Sequence, residues 1–454
     1  MSHELEFTAS SFLRIATLEA RRGRDDPGQR FADVNTVIND LKALHKQRRD
    51  ESGREPNEAK SRLIYGSFRP KIAELQRLKH QVLERELLKV SERLSAALAD
   101  DSFSWGLERG PDAGARKTYR VGLEDERYFA MKQLEINLKN AHQLSAPNRN
   151  RLVAQLCDAL EGKLPRFVLR TDIEAFYDSV PHHLLRETLR NHGGLTTTSF
   201  AFVSQLLKEW HSLTGRDVGL PTGVGLSAYL GEVYARQIDK VVAGHPSVHF
   251  YGRYVDDIVI VARSQESLDE ARSRLDRAFT ELGLRVNLAK QQQMMPKPNS
   301  GTSFDLGQVD FLGYAISKAS GTVVVEMANS AINRYKRRLE ASFDSWHHKG
   351  RDSGHERLLL NRVRFLTGNT KLVNSKGRAV TGIYFNYPKL TKISRSLKAL
   401  DVYFGVLLSR HSSTFSPKMR ARLARASFEL GFLNRTFHRF RQSDLERLVA
   451  VWRD

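Results

Sequence analysis

Two adjacent aspartates inside a strongly β-forming stretch constrain the fold of this chain more than any other feature. Asp256 and Asp257 interrupt the segment HFYGRYVDDIVIVAR, in which aromatic residues precede the acids and four β-branched residues follow them. The pattern predicts a β-hairpin, but acids are poor strand formers. A divalent cation would offset that cost, because carboxylates on a rigid hairpin bind hard cations through oxygen. A plain hairpin turn is the alternative, although no Gly or Asn supplies the positive φ that two-residue turns prefer.

A third aspartate stands at the end of another apolar run. Phe167, Val168 and Leu169 lead into Asp172 in the segment RFVLRTDIEAFYDSV, and Asp256 follows 84 residues later. That separation lets the intervening chain fold between the two strands. If the strands pair, the three carboxylates meet, which is how a two-metal site for phosphoryl transfer is assembled.

Five segments in this order resemble the motifs of reverse transcriptases. TDIEAFYDSV is similar to their first acidic motif and RYVDDIVIV to their metal-binding hairpin. GLPTGVGLSAYLGEVYARQID, between them, matches the motif that lies against template and incoming nucleotide. LRVNLAKQQ and VDFLGYAIS follow, and match the lysine-bearing and primer-gripping motifs. One such motif would be a weak signal, but five in family order over about 150 residues are specific.

The resemblance implies an α+β fold of the right-hand type, with fingers and a palm built on an antiparallel sheet. We expect a helical N-terminal extension and fingers at residues 1–105, the fingers and palm at 106–328, and a mainly helical, basic, thumb-like region at 329–454. Apolar residues recur at helical spacing in the first region, most clearly over 70–98. In the last region Arg and Lys alternate with Phe and Leu, which suits a strand-binding surface because bases stack and phosphates pair with cations.

The resemblance also assigns catalytic roles. It makes metal ligands of Asp172, Asp256 and Asp257. Ile173, which follows Asp172, is a further candidate ligand. The implied cofactor is a pair of Mg²⁺ ions, with Mn²⁺ as a possible substitute. A strand, LRVNL, is expected to present Lys290, a candidate proton donor to pyrophosphate; a surface lysine is the alternative.

Further residues are candidates for binding nucleotide or primer. Tyr177 stands where the family keeps a bulky residue beneath the sugar, so its ring would clash with a 2′-hydroxyl and favour deoxynucleotides. Thr222 and Gly223 belong to the GLPTG segment, where many family members have Gln in place of Thr222. The candidates for binding the triphosphate are Arg149, Arg151 and Lys132, because basic residues near a helix N-terminus can hold one. The alternative is that these side chains lie on a helix surface without such a role. The primer grip is assigned to Phe311, Leu312, Gly313 and Tyr314.

Composition favours a nucleic-acid partner. The 454 residues include 72 Lys and Arg against 52 Asp and Glu, a formal net charge of +20, and cations that neutralise phosphates gain affinity by releasing counterions. Cys157 is the only cysteine, so a disulfide framework and a cysteine-based zinc site are excluded and a reducing compartment is favoured. No apolar run approaches the roughly 18 residues of a membrane span, and no secretory signal pattern opens the sequence. We therefore expect a cytoplasmic protein without membrane contact.

Three features narrow the resemblance to one group of reverse transcriptases. They are the helical N-terminal extension, the GLPTG segment and the basic C-terminal segment that contains FLTGNTKL. They resemble bacterial defence-associated reverse transcriptases of the unknown-group and Abi class, most of all the first enzyme of the type 3 system. This implies an RNA-directed DNA polymerase that copies a non-coding RNA into DNA from deoxynucleoside triphosphates in antiphage defence. A second reverse transcriptase subunit and a homo-oligomer are further implied partners. The alternatives are a retron-type or group II intron-type reverse transcriptase, a template-independent or protein-primed DNA polymerase, and a non-enzymatic RNA-binding scaffold.

Overall fold

Helices form the N-terminal part of the chain. The computed structural model describes residues 6–112, 114, 116–145, 148–301, 303–349, 353–372 and 379–452. The first helices are α1 (Ala9–Arg22), α2 (Pro27–Arg30), α3 (Ala32–Arg54), α4 (Glu58–Ser67) and α5 (Arg69–Ala99). α5 confirms the long helix predicted over 70–98. Thr8 caps α1 by accepting from the Ser11 N–H, and Gly23 ends that helix with a φ of +67°, as a Ser/Thr start and a Gly stop predict.

The middle of the chain alternates helices with the strands of a central sheet. Its elements are β1 (Glu108–Arg109), β2 (Tyr119–Arg120), α6 (Asp125–Ala141), α7 (Arg149–Leu160), β3 (Phe167–Asp172), α8 (Phe176–Ser179), α9 (His182–His192), α10 (Thr197–Thr214), α11 (Gly225–Val242), β4 (Val248–Tyr254), β5 (Asp257–Ala262), α12 (Gln265–Glu281) and β6 (Gln292–Met294). The central sheet has the order β4-β5-β3-β6, and each neighbouring pair is antiparallel.

A second antiparallel sheet and a helical region complete the fold. The second sheet, in the order β10-β9-β8-β7, consists of β7 (Pro296–Pro298), β8 (Phe304–Phe311), β9 (Tyr314–Ala319) and β10 (Thr322–Met327). The C-terminal elements are α13 (Asn329–Lys349), α14 (Ser353–Thr367), β11 (Asn369–Leu372), β12 (Ala379–Gly382), α15 (Ile383–Asn386), α16 (Arg395–Arg410), α17 (Pro417–Leu423), α18 (Phe428–Leu433), β13 (Phe437–His438) and α19 (Gln442–Val449). Helices with antiparallel sheets confirm the predicted α+β class. None of the described helices has the length and apolar character needed to cross a bilayer.

The central sheet separates two apolar cores. Successive residues of a strand face opposite sides of a sheet. On β3 and β5, Leu169 and Ile260 pack into one core with α1, α5, α6 and α9 to α12. Val168 and Val261 pack into the other core with α7, the second sheet and the helices after residue 329. Both halves of the molecule therefore support the strands that carry the acids.

Candidate active site

The pairing of β3 with β5 brings the three predicted acids together. Asp172 lies opposite Asp257 in the register of these strands, and the Ile173 N–H donates to the Asp256 carbonyl at 3.1 Å. One carboxylate oxygen from each of Asp172, Asp256 and Asp257 lies within 4.8 Å of the other two. Asp172 is buried, whereas the other two acids are partly exposed. The strand ends thus form a compact acidic cluster at the edge of the central sheet.

Two cations offset part of the charge of this cluster. Lys290 Nζ donates to both Asp172 oxygens, at 3.0 and 2.9 Å. Arg170 pairs with Asp257 Oδ1 at 2.5 Å and also donates to the Lys290 carbonyl at 2.6 Å. Asp256 forms no ion pair with any described residue. Burial raises the pKa of Asp256, and the negative charges of Asp172 and Asp257 raise it further.

The donor set fits a divalent metal ion. Hard cations such as Mg²⁺ prefer carboxylate oxygens, and here three carboxylates converge while only two have a cationic partner within the described chain. Asp172, Asp256 and Asp257 would hold the ion. The Ile173 side chain is buried in the first core, so this residue could offer a metal only its backbone carbonyl.

A buried arginine holds the turn that carries Asp256. Val255, the residue before it, adopts a left-handed φ of +59°, which is strained for a β-branched side chain. The Arg253 side chain is 4% exposed, and one of its N–H groups donates to the Val255 carbonyl at 3.1 Å. Its remaining contacts are to the carboxylates of Glu232 and Asp239 on α11, at 2.7 to 3.0 Å. Sequence reasoning missed this network, although the seven-residue spacing of the two acids, two helical turns, was a usable signal.

The predicted primer grip is a tight hairpin. Phe311 pairs with Tyr314 between β8 and β9, and Leu312 and Gly313 form the turn with φ values of +50° and +77°. Arg149 donates to the Leu312 carbonyl through Nε at 2.8 Å and Nη2 at 2.6 Å. Its Nη1 donates to the carbonyl of Asn386 at 2.5 Å. Arg149, predicted to bind a triphosphate, therefore has carbonyl acceptors that bind α7 to the hairpin and to α15.

A cleft of about 1070 Å³ lies over the acids and gathers much of the predicted site. Its walls include Lys290, Tyr177, Thr222 and Leu312. Arg151 and Lys132 do not line it: Arg151 is exposed on α7, and Lys132 pairs with Glu135 at 2.9 Å. The predicted Arg149 does line it, and so do basic residues that sequence reasoning did not select, namely Arg109, Arg116, Lys117 and Arg216. Arg109, Arg116 and Lys117 belong to the Gly-rich basic segment before α6. The basic composition of this segment was a usable signal, although no motif spacing marks these residues.

Tyr177 and the GLPTG loop, two of the predicted nucleotide-binding features, lie at this cleft. Tyr177 is half-buried, and burial together with the charge of Asp256 raises the pKa of its hydroxyl. The Thr222 carbonyl accepts from the Tyr119 N–H at 2.7 Å. Gly223 has a φ of +103°, and a Cβ there would lie 2.7 Å from the Tyr119 carbonyl. The GLPTG loop is thus fixed against β2 by backbone contacts that require glycine.

The prediction of a strand at LRVNL was wrong. Val286 forms a single bridge to Ile173, and Leu288–Lys290 form a 3₁₀ turn. Asn287 donates to the Asp172 backbone carbonyl at 2.8 Å and, through Nδ2, to its carboxylate at 3.0 Å. This turn places Lys290 Nζ within 3.0 Å of both Asp172 carboxylate oxygens.

A comparison with known protein families agrees with the resemblance seen in the motifs. Residues 116–316, somewhat less than half of the chain, match the family model described as reverse transcriptase (RNA-dependent DNA polymerase). No curated protein is similar enough in sequence to be matched.

Among solved structures, telomerase from Candida albicans with a fragment of telomeric RNA is 11% identical, with a TM-score of 0.34, over 72% of this chain and 58% of that one. A telomerase from Candida tropicalis truncated from its C-terminal domain is 14% identical, with a TM-score of 0.35, over 48% and 54%. The apo telomerase from Candida tropicalis is 13% identical, with a TM-score of 0.34, over 71% and 56%. The chain thus spans less than two thirds of each of these proteins.

Proposed function

We propose that this chain, an RNA-directed DNA polymerase through the reverse transcriptase domain at residues 116–316, extends a DNA 3′ end at Asp172, Asp256 and Asp257 with the help of two divalent metal ions. The observation that carries this proposal is the convergence of the three carboxylates within 4.8 Å at the floor of a large cleft with cationic walls. Mg²⁺ is the expected ion, and Mn²⁺ could replace it. When bound, the ions would lower the pKa of the primer hydroxyl and stabilise the charge of the leaving pyrophosphate.

The chain's own residues position the reactants. Tyr177 lines the cleft beside Asp256, where its ring would exclude a 2′-hydroxyl. The exposed Arg116 and Lys117, which also line the cleft, are proposed to bind the triphosphate in place of Arg151 and Lys132. Lys290 neutralises Asp172 at 2.9 Å and remains the proposed proton donor to pyrophosphate.

The C-terminal region is proposed to hold the template and product strands. Residues 329–454 contain 26 Lys and Arg against 9 Asp and Glu, a net charge of +17 out of +20 for the whole chain. Cationic surfaces attract phosphate backbones by releasing counterions. We retain the proposed regions 1–105, 106–328 and 329–454 as an extension, a fingers-palm core and a thumb-like region.

The double substitution Asp256→Ala with Asp257→Ala tests the assignment. We expect DNA synthesis to fall roughly a thousandfold or more, because loss of metal ligands removes several kcal/mol of transition-state stabilisation. RNA retention should persist, because the C-terminal cations are untouched. The matched control is Asp269→Ala with Asp276→Ala, two exposed acids on α12. Near wild-type synthesis in the Asp256/Asp257 variant would refute the proposal.

The biological role is proposed from the sequence resemblance. We propose that the polymerase copies a partner non-coding RNA during antiphage defence, with a second reverse transcriptase or a further copy of itself in the complex. Sequencing the nucleic acid that copurifies with the protein, with and without deoxynucleotides, tests this role. One dominant RNA with complementary DNA would support it, whereas RNA of random sequence would contradict it. DNA attached covalently after denaturation would instead indicate protein priming.

A further inference from the structure

A second cleft lies in the C-terminal region where α14, α17, α18 and β13 meet. Its volume is about 220 Å³, and it shares no lining residue with the large cleft over the acids. Arg364, Arg422, Arg425 and His438 line it, together with small polar residues and two glycines. The cleft is therefore a separate feature, lined by basic side chains.

Within the described chain, no acid forms an ion pair with the basic side chains of this cleft. None of its lining residues is acidic, and within the described chain Arg364, Arg422 and Arg425 form no ion pair. The nearby Asp401 is already engaged, because it accepts from the Phe428 N–H at 2.6 Å and from Ser427 Oγ at 2.8 Å. Three guanidinium groups therefore present unused N–H donors to one small space.

The surroundings of Arg364 and His438 disfavour the positively charged form of both side chains. Burial lowers the pKa of Arg364, and the charge of Arg422 lowers it further. Burial also lowers the pKa of His438, with Arg364 adding to that effect. An anion between these side chains would reverse the repulsion, since opposite charges a few ångströms apart favour the charged form of each.

The walls of the cleft are fixed by close packing. A Cβ on Gly431 would lie 1.8 Å from the Thr367 carbonyl, and a Cβ on Gly368 would lie 2.5 Å from the His438 ring. The buried Asn369 donates to the carbonyls of Gly431 and Thr436 at 3.1 and 3.2 Å. The shape of the cleft is therefore set by the fold rather than by a ligand.

We propose that this cleft binds a phosphate group carried by a nucleic-acid strand. Guanidinium groups bind phosphate oxygens through paired N–H donors, and the cleft has room for one phosphate and part of its nucleotide but not for a duplex. The proposal rests on the proposed function only in taking the strand to be template or product. The phosphate could be a terminal monoester or an internal diester, and the two sources can be separated.

The test compares full-length variants in binding a fluorescent single-stranded RNA of about twelve nucleotides, with either a 5′-phosphate or a 5′-hydroxyl. The variant is Arg364→Gln with Arg422→Gln. Its control is Arg395→Gln with Lys418→Gln, which removes the same charge from exposed positions outside the cleft. We expect the cleft variant to bind about tenfold more weakly than the control, with a salt dependence reduced by about one to two phosphate contacts.

Each outcome decides a point. Loss confined to the 5′-phosphorylated strand would support a terminal phosphate site, and equal loss for both strands would support an internal phosphodiester. Equal Kd values for the cleft variant and its control would overturn the proposal. Should the double variant fail to fold, the exposed Arg425→Gln tests the same cleft. The Asp256→Ala with Asp257→Ala variant should bind both strands like wild type. The binding assay therefore tests the phosphate site, whereas the DNA synthesis assay tests the proposed catalysis, and either proposal can fail without the other.

Discussion

Replacing Arg253 with Met should lower both the stability of the protein and its rate of DNA synthesis, and adding Val255→Gly should restore part of the rate only. Arg253 holds the strained Val255 turn beside Asp256 and also neutralises Glu232 and Asp239. Burial opposes the charge of Arg253, but hydrogen bonds to Asp239 and Glu232 outweigh it, so the pKa of this arginine lies above its usual value. The two effects of the substitution have different causes and can be measured separately.

The expected magnitudes follow from these contacts. Removing one partner of a buried ion network costs about 3–5 kcal/mol. Because the Glu232 and Asp239 side chains are 21% and 30% exposed, the free energy of unfolding should fall by about 3 kcal/mol, the lower end of that range. A strained left-handed residue costs about 1–3 kcal/mol unless its surroundings impose it. If the turn relaxes by that amount, kcat should fall roughly 5- to 150-fold.

The assay is a double-mutant cycle on Arg253→Met, Val255→Gly and their combination. Urea unfolding gives the stability of each variant, and primer extension gives kcat, KM and the Mg²⁺ concentration for half-maximal rate. Glycine adopts a positive φ without strain, so Val255→Gly should recover part of the lost kcat in the Arg253→Met background, but not the stability lost with the ion pairs to Glu232 and Asp239. A wild-type kcat for Arg253→Met, or identical effects of Val255→Gly in both backgrounds, would refute the strained-turn reasoning.

Three further predictions concern other parts of the site and fold. Tyr177→Val should allow ribonucleotide incorporation, measured as the ratio of kcat/KM for deoxy- and ribonucleotides. Arg149→Met should weaken primer binding by releasing the Leu312 carbonyl, while a raised KM for deoxynucleotides would instead indicate a triphosphate role. Burial, with the charges of His192 and other neighbours, lowers the pKa of His142 from 6.5 to about 4, so stability should fall as pH drops below 6.5. In urea unfolding, His142→Gln should remove on the order of 2 kcal/mol of that loss, and an unchanged pH profile would contradict it.

The acidic cluster could be foreseen because its sequence pattern is local. Asp172 and Asp257 each stand at the end of an apolar run that forms a strand. When these two strands pair, the acids at their ends meet. The α+β class was implied by the resemblance of five motifs, in order, to those of reverse transcriptases. Each motif is a pattern of residues a few positions apart, which the sequence displays directly.

The contacts that the sequence did not reveal are made with partners distant in sequence. Arg149 meets Leu312 and Asn386 across 163 and 237 residues, and no local pattern distinguishes it from Arg151, which points to solvent. Lys290 reaches Asp172 through a turn rather than the expected strand. In each case tertiary contacts, rather than propensity, decide where the side chain goes.

The second core limits how far this chain can be trimmed. Of the 35 buried side chains in the second core, as far as the structure describes it, 21 come from beyond residue 328. A fragment ending there would expose Val323, Val325 and Met327 on β10, the strand that packs against α16. Each such side chain is worth about 1.5–3 kcal/mol when buried, and three together rival the roughly 5–15 kcal/mol that keeps a whole domain folded. The segment that matches the reverse transcriptase family is therefore expected to aggregate when excised, because residues 329–454 stabilise the fold in addition to their proposed role in binding nucleic acid.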